Sequence, residues 1–419
     1  MRWPGATTRV LLALAAGAVA GLARAPWGPG AAVPPAGIAQ PIGRLWLSAL
    51  QMTVVPLVLA LVIVGVATAS DAAASGRVAR RAMVVFIAML SFFAGYAALV
   101  APALLSLVPR SAALTATLQA SATGVDAAVA PSLAQWIGNV IPSNAIMAAA
   151  QGAMLPLVVF ALFFGFALTR IDGDRRAHVI GLCHGIADTM IVVVHWVLLA
   201  APVGVFALML AVCAQAGVGV VGALAGYIAL QCGMYLGAIA MCYGLVAVFA
   251  GRSPAAFAKA VLPAQVVAAS TQSSLASLPA MLESARDRLG LPRPVAALVL
   301  PMAVTLFRIT SPVQYVVAAA FVAWAYGIEL TAVQLAAGAA LAVVISLGSV
   351  GLPGQVSFMA TVMPVTQSMG LPVEPLGLLL AVDTIPDVFA TTGNVTGDLT
   401  AAAIVTRRSP EASTPPSAG

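Results

Sequence analysis

The sequence predicts an all-α polytopic membrane protein, and three observations lead to this fold class. Of the 419 residues, 62% are hydrophobic and only 8% are charged, and the mean hydropathy is +1.05. Such a chain is too apolar to cover a water-facing surface. Many apolar runs reach the roughly 20 residues with which a helix crosses a bilayer, whereas the short alternating strands of a membrane barrel are absent. Polar, helix-breaking segments then interrupt the C-terminal part.

The first 250 residues are predicted to contain six apolar spans. The opening residues also have the basic start and small-residue site of a signal peptide, but removing them would leave the topology without its first span. We therefore expect spans at 9–26, 45–69, 82–108, 152–169, 178–212 and 219–249, so that 1–109 holds spans one to three, 136–212 spans four and five, and 213–250 span six. The Ser-, Ala- and Thr-rich stretch 110–135 is predicted to lie outside the membrane.

The basic residues predict the orientation. With the N-terminus in the cytoplasm, fifteen lie on the cytoplasmic side and three, Arg24, Arg44 and Arg110, lie outside. An excess of this kind is typical of cytoplasmic loops. The basic residues are scattered along the chain and form no nucleic-acid-binding patch, so no nucleic acid is expected as a partner. The Arg- and Ala-rich composition suggests a bacterial inner membrane protein with both termini in the cytoplasm.

Beyond Gly251, Ser, Thr, Gly and Pro interrupt the apolar runs at membrane depth. The segments 270–279 (STQSSLASLP) and 346–354 (SLGSVGLPG) are predicted re-entrant hairpins, and the long spans 292–327 and 374–406 follow them. Irregular backbone is tolerated at this depth only beside protein or a water-filled cavity, so each tip is expected to line a site. A hairpin followed by a helix thus occurs twice, as a weak internal repeat. The simpler alternative is that the serines only allow close helix contact.

The last span carries the strongest functional signal. Asp387, Thr391, Asn394 and Asp398 recur at i, i+4, i+7 and i+11, and Asp383 lies one turn earlier, so we expect one polar helix face. A charged carboxylate at the bilayer centre costs about 2.5–3.5 kcal/mol, so these groups should face partners or a cavity.

Local unwinding is predicted at Pro386 and Gly393 of the same span. Asp188, in the span 178–212, is a further charged residue that we expect in the core. The region 251–406 is predicted to form the functional core, and 407–419 a disordered cytoplasmic tail.

These features resemble the glutamate transporter family, the dicarboxylate/amino acid:cation symporters. The resemblance covers nearly the whole chain, and its most specific motif is VDTIPDVFATTGNVTGDLTAAAIV in the last span. It implies eight transmembrane helices with two re-entrant helical hairpins, a homotrimer held by a scaffold domain, and a transport domain that moves in an elevator-like way. No cofactor and no enzymatic activity are implied.

The resemblance also implies a substrate site. Asp387 would hold the α-amino group of an amino acid, and Asn394 with the hairpin serines Ser273 and Ser274 would hold its α-carboxylate. Asp398, together with Asn394, would form a sodium site. The remaining residues of the predicted substrate site are Arg308, Leu352, Gly354, Ala390 and Thr391.

Two departures from the family pattern change the expected selectivity. Ala390 stands where carriers of acidic amino acids place an arginine that clamps the substrate's side-chain carboxylate. The family's Asn-Met-Asp-Gly-Thr sodium motif is replaced by FRITS at 307–311, which removes two oxygen-bearing ligands. We therefore predict an amino acid symporter for neutral or small polar substrates, with sodium and protons both open as coupling ion.

Arg308 is the basic residue expected at mid-membrane, and three roles are open for it. Its guanidinium could replace a bound cation permanently, it could clamp the carboxylate of an acidic substrate, or it could only pair with Asp383. The second role defines the alternative function, a proton- or sodium-coupled symporter of dicarboxylates or acidic amino acids. A channel and an intramembrane serine hydrolase are less consistent with the sequence, because the acidic stripe occurs once per chain and SLGSVG lacks the first glycine of a nucleophile elbow.

Overall fold

A computed structural model describes residues 6–23, 33–74, 76–109, 115, 138, 140–348 and 354–407, and these residues form helices and no strand. Most of 110–135, the tail from 408 and the tip 349–353 lie outside the described residues. The helices are α1 (Ala6–Leu22), α2 (Val33–Gln51), α3 (Val54–Ala74), α4 (Arg77–Ser106), α5 (Ala145–Ala150), α6 (Met154–Leu168), α7 (Gly173–Leu199), α8 (Ala201–Ala216), α9 (Gly219–Leu245), α10 (Pro254–Thr271), α11 (Ser274–Glu283), α12 (Arg293–Leu306), α13 (Thr310–Tyr326), α14 (Ala332–Gly348), α15 (Gly354–Ser368), α16 (Leu376–Val382) and α17 (Thr384–Arg407).

Five helical stretches among the described residues are long and apolar enough to cross a membrane, and a sixth results if α16 and α17 count as one span. These lengths agree with an all-helical protein that crosses a bilayer several times. The stretch predicted as one span at 178–212 is divided at Ala200 into α7 and α8. Pro202 sits in the first turn of α8, where its missing N–H costs nothing.

Two further breaks each precede a proline by four residues. Between α12 and α13 the chain leaves the helix at Phe307 and Arg308, and Pro312 follows. Between α16 and α17 the axis bends by 71° after Val382, and Pro386 follows. A proline lacks an N–H and its ring clashes with the carbonyl four residues earlier, which accounts for both positions.

The prediction of unwinding at Pro386 and Gly393 is therefore wrong in its location. Helix α17 runs through both residues, and the break lies at Asp383. Asp383 consequently does not continue the straight polar face of Asp387, Thr391, Asn394 and Asp398. It lies at the bend itself.

Two helix pairs flank these broken segments. Helices α10 and α11 pack against each other across a turn in which Gln272 takes a left-handed conformation (φ 51°), and α14 packs against α15. Helix α17 contacts α4, α9, α10, α11, α12, α13 and α15. Between Ala390 and Thr406 only Thr392 is not fully buried, so α17 is the central helix around which the other elements are arranged.

Candidate functional site

The bend between α16 and α17 brings Asp383 into the interior. The side chain is 2% exposed, and its Oδ1 atom accepts a hydrogen bond of 2.7 Å from Nε2 of Gln314 on α13. No basic side chain of the described residues lies within 4 Å of Asp383. The ion pair between Arg308 and Asp383 that the sequence left open is therefore not formed.

The break before α13 packs directly on α17. The backbone N–H of Thr310 donates to Oδ1 of Asn394 over 3.1 Å, and the Thr310 hydroxyl lies 2.9 Å from the same oxygen and 3.2 Å from the carbonyl oxygen of Ala390. Because Oδ1 of Asn394 already accepts hydrogen bonds, it is poorly placed to coordinate a cation. The amide nitrogen of Asn394 makes no hydrogen bond to a described residue and remains available.

Glycines on α17 allow this close approach. A methyl group built on Gly393 would lie 2.6 Å from Cγ2 of Thr310, and one on Gly397 would lie 2.9 Å from the Ile309 side chain. Both distances are shorter than real side chains tolerate. The two glycines thus provide the space in which the broken segment docks.

Phe307 is the first residue of the segment FRITS, which stands where the family pattern has its sodium motif. It is fully buried, and its ring stacks on Phe86 of α4 with centroids 4.6 Å apart and planes 13° apart. A stacked aromatic pair offers no oxygen ligand to a hard cation. Phe307 and Ile309 therefore place apolar side chains at the positions where the resemblance would require sodium ligands.

Arg308 lies in the broken segment that packs on α17. Its guanidinium is close enough to act on the carboxyl groups of Asp387 and Asp398, although it forms no ion pair within 4 Å with any described carboxylate. Its Nε atom is buried and has no hydrogen-bond partner in the described part of the chain. The charge of Arg308 therefore balances this part of the acidic stripe from a distance.

Asp398 lies deepest in the stripe. It is fully buried, and neither carboxylate oxygen has a hydrogen-bond partner among the described residues. A buried carboxylate in this state requires a proton, a water molecule or a cation. No group of three or more His, Cys, Asp or Glu side chains suited to a metal ion occurs in the described part of the chain.

The first helix pair brings its tip close to the bend. Ser273 caps α11, where its hydroxyl accepts a hydrogen bond from the N–H of Ala276. Ser274 is 3% exposed, and its hydroxyl has no hydrogen-bond partner among the residues that the structure describes. Nε2 of Gln272 donates to the carbonyl oxygen of Thr384 over 3.4 Å, so the tip contacts the start of α17.

The face of α17 next to this tip carries Asp387, Ala390 and Thr391. Asp387 is partly exposed, and Ala390 and Thr391 are buried. Neither the Asp387 carboxylate nor the Thr391 hydroxyl is hydrogen-bonded to a described residue. The structure therefore brings most of the predicted site together around α17.

Three predicted residues do not join this group. Leu352 lies outside the described residues, and Gly354 is the first residue of α15. Asp188 is exposed on α7, so the prediction that it belongs to the core is wrong. The exposed face of α7 includes His184 and His195 as well, and this helix is the least buried of the long apolar helices that the structure describes.

The sequence reading missed a polar stripe on α9. Tyr227, Gln231 and Tyr235 follow each other at intervals of four residues and are completely buried. Their hydroxyl and amide groups form no hydrogen bond of good geometry to a described residue, although the Tyr235 hydroxyl lies beside the Gln231 amide. The fourfold spacing of large polar residues in an apolar span was the signal that could have revealed them.

Characterised proteins resemble this chain over most of their length. The proton/glutamate-aspartate symporter of Escherichia coli (strain K12) is 28% identical over 379 residues, which are 88% of this chain and 84% of that protein. The proton/sodium-glutamate symport protein of Bacillus subtilis (strain 168) is 28% identical over 414 residues, covering 96% and 92%. C4-dicarboxylate transport protein 2 of Bradyrhizobium sp. (strain ORS 278) is 28% identical over 371 residues, covering 87% and 81%.

These relatives are membrane transporters and not enzymes, and they couple the uptake of a small molecule to a cation. The model of the sodium:dicarboxylate symporter family matches residues 6–408. The broken helices around α17 and the acidic stripe are consistent with a binding site at membrane depth. The chain therefore belongs to the sodium:dicarboxylate symporter family.

Proposed function

We propose that this chain is a symporter of neutral or small polar amino acids. The observation that carries the proposal is the pairing of Asp387 with Ala390 on one face of α17. Asp387 offers a carboxylate without a partner among the described residues, which suits an α-ammonium group, and it would repel a second carboxylate. Ala390 offers only a methyl group, so this position cannot clamp an acidic side chain.

The groups for the substrate's α-carboxylate are neutral donors. The Ser274 hydroxyl is buried without a partner among the described residues. No hydrogen bond joins the Thr391 hydroxyl or the Asn394 amide nitrogen to a described residue. A buried donor without an acceptor is costly, so Ser274 favours a ligand that supplies an oxygen to it. An amino acid zwitterion would bind Asp387 through its ammonium group and the neutral donors through its carboxylate.

Arg308 replaces a bound cation in this proposal. Its charge acts on Asp387 and Asp398, while Phe307 and Ile309 remove the ligands that a sodium ion would use in the broken span. We therefore expect substrate uptake by purified, reconstituted protein to continue when choline replaces sodium at fixed pH. Loss of uptake in choline would contradict this role of Arg308.

A second candidate function rests on the same arginine. Arg308 forms no ion pair within 4 Å among the described residues, so its guanidinium could clamp the carboxylate of a dicarboxylate or an acidic amino acid. The relatives include a proton/glutamate-aspartate symporter and a C4-dicarboxylate transport protein, which favours such a substrate. The coupling ion would then be a proton or sodium.

A thermal-shift screen separates the two candidates. A ligand that binds only the folded protein raises its melting temperature. We expect stabilisation by alanine, serine or threonine, with and without sodium, and none by succinate, aspartate or glutamate. Stabilisation by the acidic compounds alone, lost on Arg308→Met, would establish the second candidate instead.

The larger assembly follows the family pattern in this proposal. Eight spans and two re-entrant hairpins, α10 with α11 and α14 with α15, would form each protomer of a homotrimer in a bacterial inner membrane, with both termini in the cytoplasm. The region 251–406 would move with its neighbours as an elevator-type transport domain. The exposed α7 would belong to the fixed scaffold.

A further inference from the structure

The polar stripe of α9 faces Asp383 in a region that the proposed substrate site does not use. The hydroxyls of Tyr227 and Tyr235 are both close enough to interact electrostatically with the Asp383 carboxyl group. Helix α9 packs against α13, α16 and α17, the elements that hold Gln314 and Asp383. We name the residues Tyr227, Gln231, Tyr235, Gln314 and Asp383 the α9 polar chamber.

The chamber contains more polar atoms than its hydrogen bonds use. The two tyrosine hydroxyls and the Gln231 amide are buried and form no hydrogen bond of good geometry to a described residue, although the Tyr235 hydroxyl lies beside the Gln231 amide, whereas Asp383 receives one bond from Gln314. Native interiors rarely leave several such atoms without hydrogen bonds, and buried water molecules commonly supply the missing bonds. Two hydroxyls, one amide and one carboxyl group supply the two to four partners that a buried water needs.

The charge of Asp383 needs a partner as well. No basic described side chain lies within 4 Å, and Arg308 acts on Asp387 and Asp398 instead. Among the described residues, the titratable groups that act on Asp383 are Asp387 in the first turn of α17 and Tyr227 and Tyr235 on α9, and none of them is cationic. An ionised carboxylate with one neutral donor is unfavourable in an apolar core, and a bound proton removes its charge.

We propose that Asp383 is a proton-binding site served by water in the α9 polar chamber. The step is a simple transfer in which the carboxylate takes H⁺ from a hydronium ion, giving a neutral carboxylic acid and water, and the reverse transfer releases the proton. The tyrosine oxygens, or a water molecule between them and Asp383, can accept the new O–H. If the proposed transport function holds, this proton, and not sodium, is the coupling ion.

Infrared difference spectroscopy tests the site without any substrate. Full-length protein in lipid nanodiscs is titrated with pH, and the carbonyl stretch of protonated carboxylic acids is recorded. We expect a band that disappears in Asp383→Asn and changes frequency in Tyr235→Phe, because its hydrogen-bonding changes. The same change at Tyr326, whose hydroxyl lies near Glu374, is the matched control and should leave the band in place. A spectrum in which Asp383→Asn keeps every pH-dependent band overturns the proposal.

Proteoliposomes with an internal pH-sensitive dye test coupling, with radiolabelled L-serine as the probe. We expect an inward proton gradient to stimulate uptake by wild-type protein several-fold, and Tyr235→Phe to reduce the stimulation. In Asp383→Asn, the ratio of serine uptake with the proton gradient to uptake without it should fall to about one, while serine still shifts the melting temperature. Full proton stimulation in Asp383→Asn overturns the proposal. If wild-type protein takes up no serine but shows the Asp383 band, the proposed substrate class is wrong and the proton site stands.

Discussion

The Thr310 N–H donates to the Asn394 side-chain oxygen over 3.1 Å, and the Thr310 hydroxyl reinforces the same contact at 2.9 Å. These two bonds fix the broken segment between α12 and α13 onto α17. The family pattern has a glycine at the position of Thr310, which could not provide the hydroxyl. The side-chain oxygen of Asn394 thus accepts a hydrogen bond from the backbone of the broken segment. The resemblance would instead have Asn394 bind a ligand.

Removing the hydroxyl of Thr310 should loosen this contact. Thr310→Val keeps the shape and the backbone donor, so we expect a loss of about 1 kcal/mol of stability, the usual contribution of one hydrogen bond. Thermal unfolding in detergent measures it. Thr305→Val is the control, because that exposed hydroxyl bonds only to carbonyls of its own helix. Equal losses of stability in both variants would show that the hydrogen bond from Thr310 to Asn394 adds no more stability than a hydrogen bond within one helix.

Gly393 and Thr310 should behave as a size-matched pair. Gly393→Ala places a methyl group against Cγ2 of Thr310, and overpacking of this kind costs about 1–3 kcal/mol. Thr310→Ser deletes that methyl and keeps the hydroxyl, so the double variant should recover most of the lost melting temperature. Gly95→Ala is the control, because nothing lies within 4 Å of the added atom. Failure of the serine to rescue would mean that the clash is not with Thr310.

Phe307→Asn restores one residue of the family's sodium motif and should still not restore a sodium site. The variant loses the stack on Phe86 and buries an amide, so we expect it to be less stable by about 2–4 kcal/mol. Ile309 continues to occupy a second ligand position. Melting temperatures in sodium and choline chloride check this, with Phe307→Leu separating polarity from loss of the ring. A sodium-dependent rise in Phe307→Asn alone would show that one oxygen ligand suffices.

Ala390→Arg should shift the substrate selectivity of the site from neutral toward acidic amino acids. A guanidinium at this position can clamp a side-chain carboxylate, and charged hydrogen bonds of about 1.5–3 kcal/mol correspond to roughly ten- to hundredfold tighter aspartate binding. Competition of aspartate against serine uptake measures the change. Ala390→Lys carries the same charge without the planar fork and should gain less. If wild-type protein already binds aspartate and Ala390→Arg abolishes binding, Arg308 is the clamp.

Residue spacing predicted the acidic stripe, because Asp387, Asn394 and Asp398 depend only on the period of one helix. The bend at Asp383 was placed too late in the sequence, since a proline disturbs the carbonyl four residues before it and not its own position. The exposure of Asp188 depends on which face of α7 packs against the protein, and its apolar surroundings do not specify that face.

Contacts between segments that are distant in the sequence could not be predicted from it. The electrostatic influence of Arg308 on Asp387 and Asp398 depends on how the broken span packs on α17. The chamber formed by Gln314 with the α9 stripe likewise depends on three helices meeting. Periodicity describes one helix at a time and cannot supply such contacts.

Arg308 should couple to the two aspartates of α17, Asp387 and Asp398, and not to Asp383 at the bend before this helix. Arg308→Met removes a positive charge from Asp387 and Asp398, so Asp398→Asn in the same chain should recover part of the lost stability, with a coupling energy of about 1 kcal/mol. Asp387→Asn should behave similarly. Asp383→Asn serves as the control, because its neighbours are Asp387 and Gln314. Double-mutant cycles from thermal unfolding at low ionic strength give the three values. Equal coupling for all three would mean that Arg308 acts on the stripe as a whole, and zero coupling to Asp398 would remove its role as a stand-in for a cation at that carboxylate.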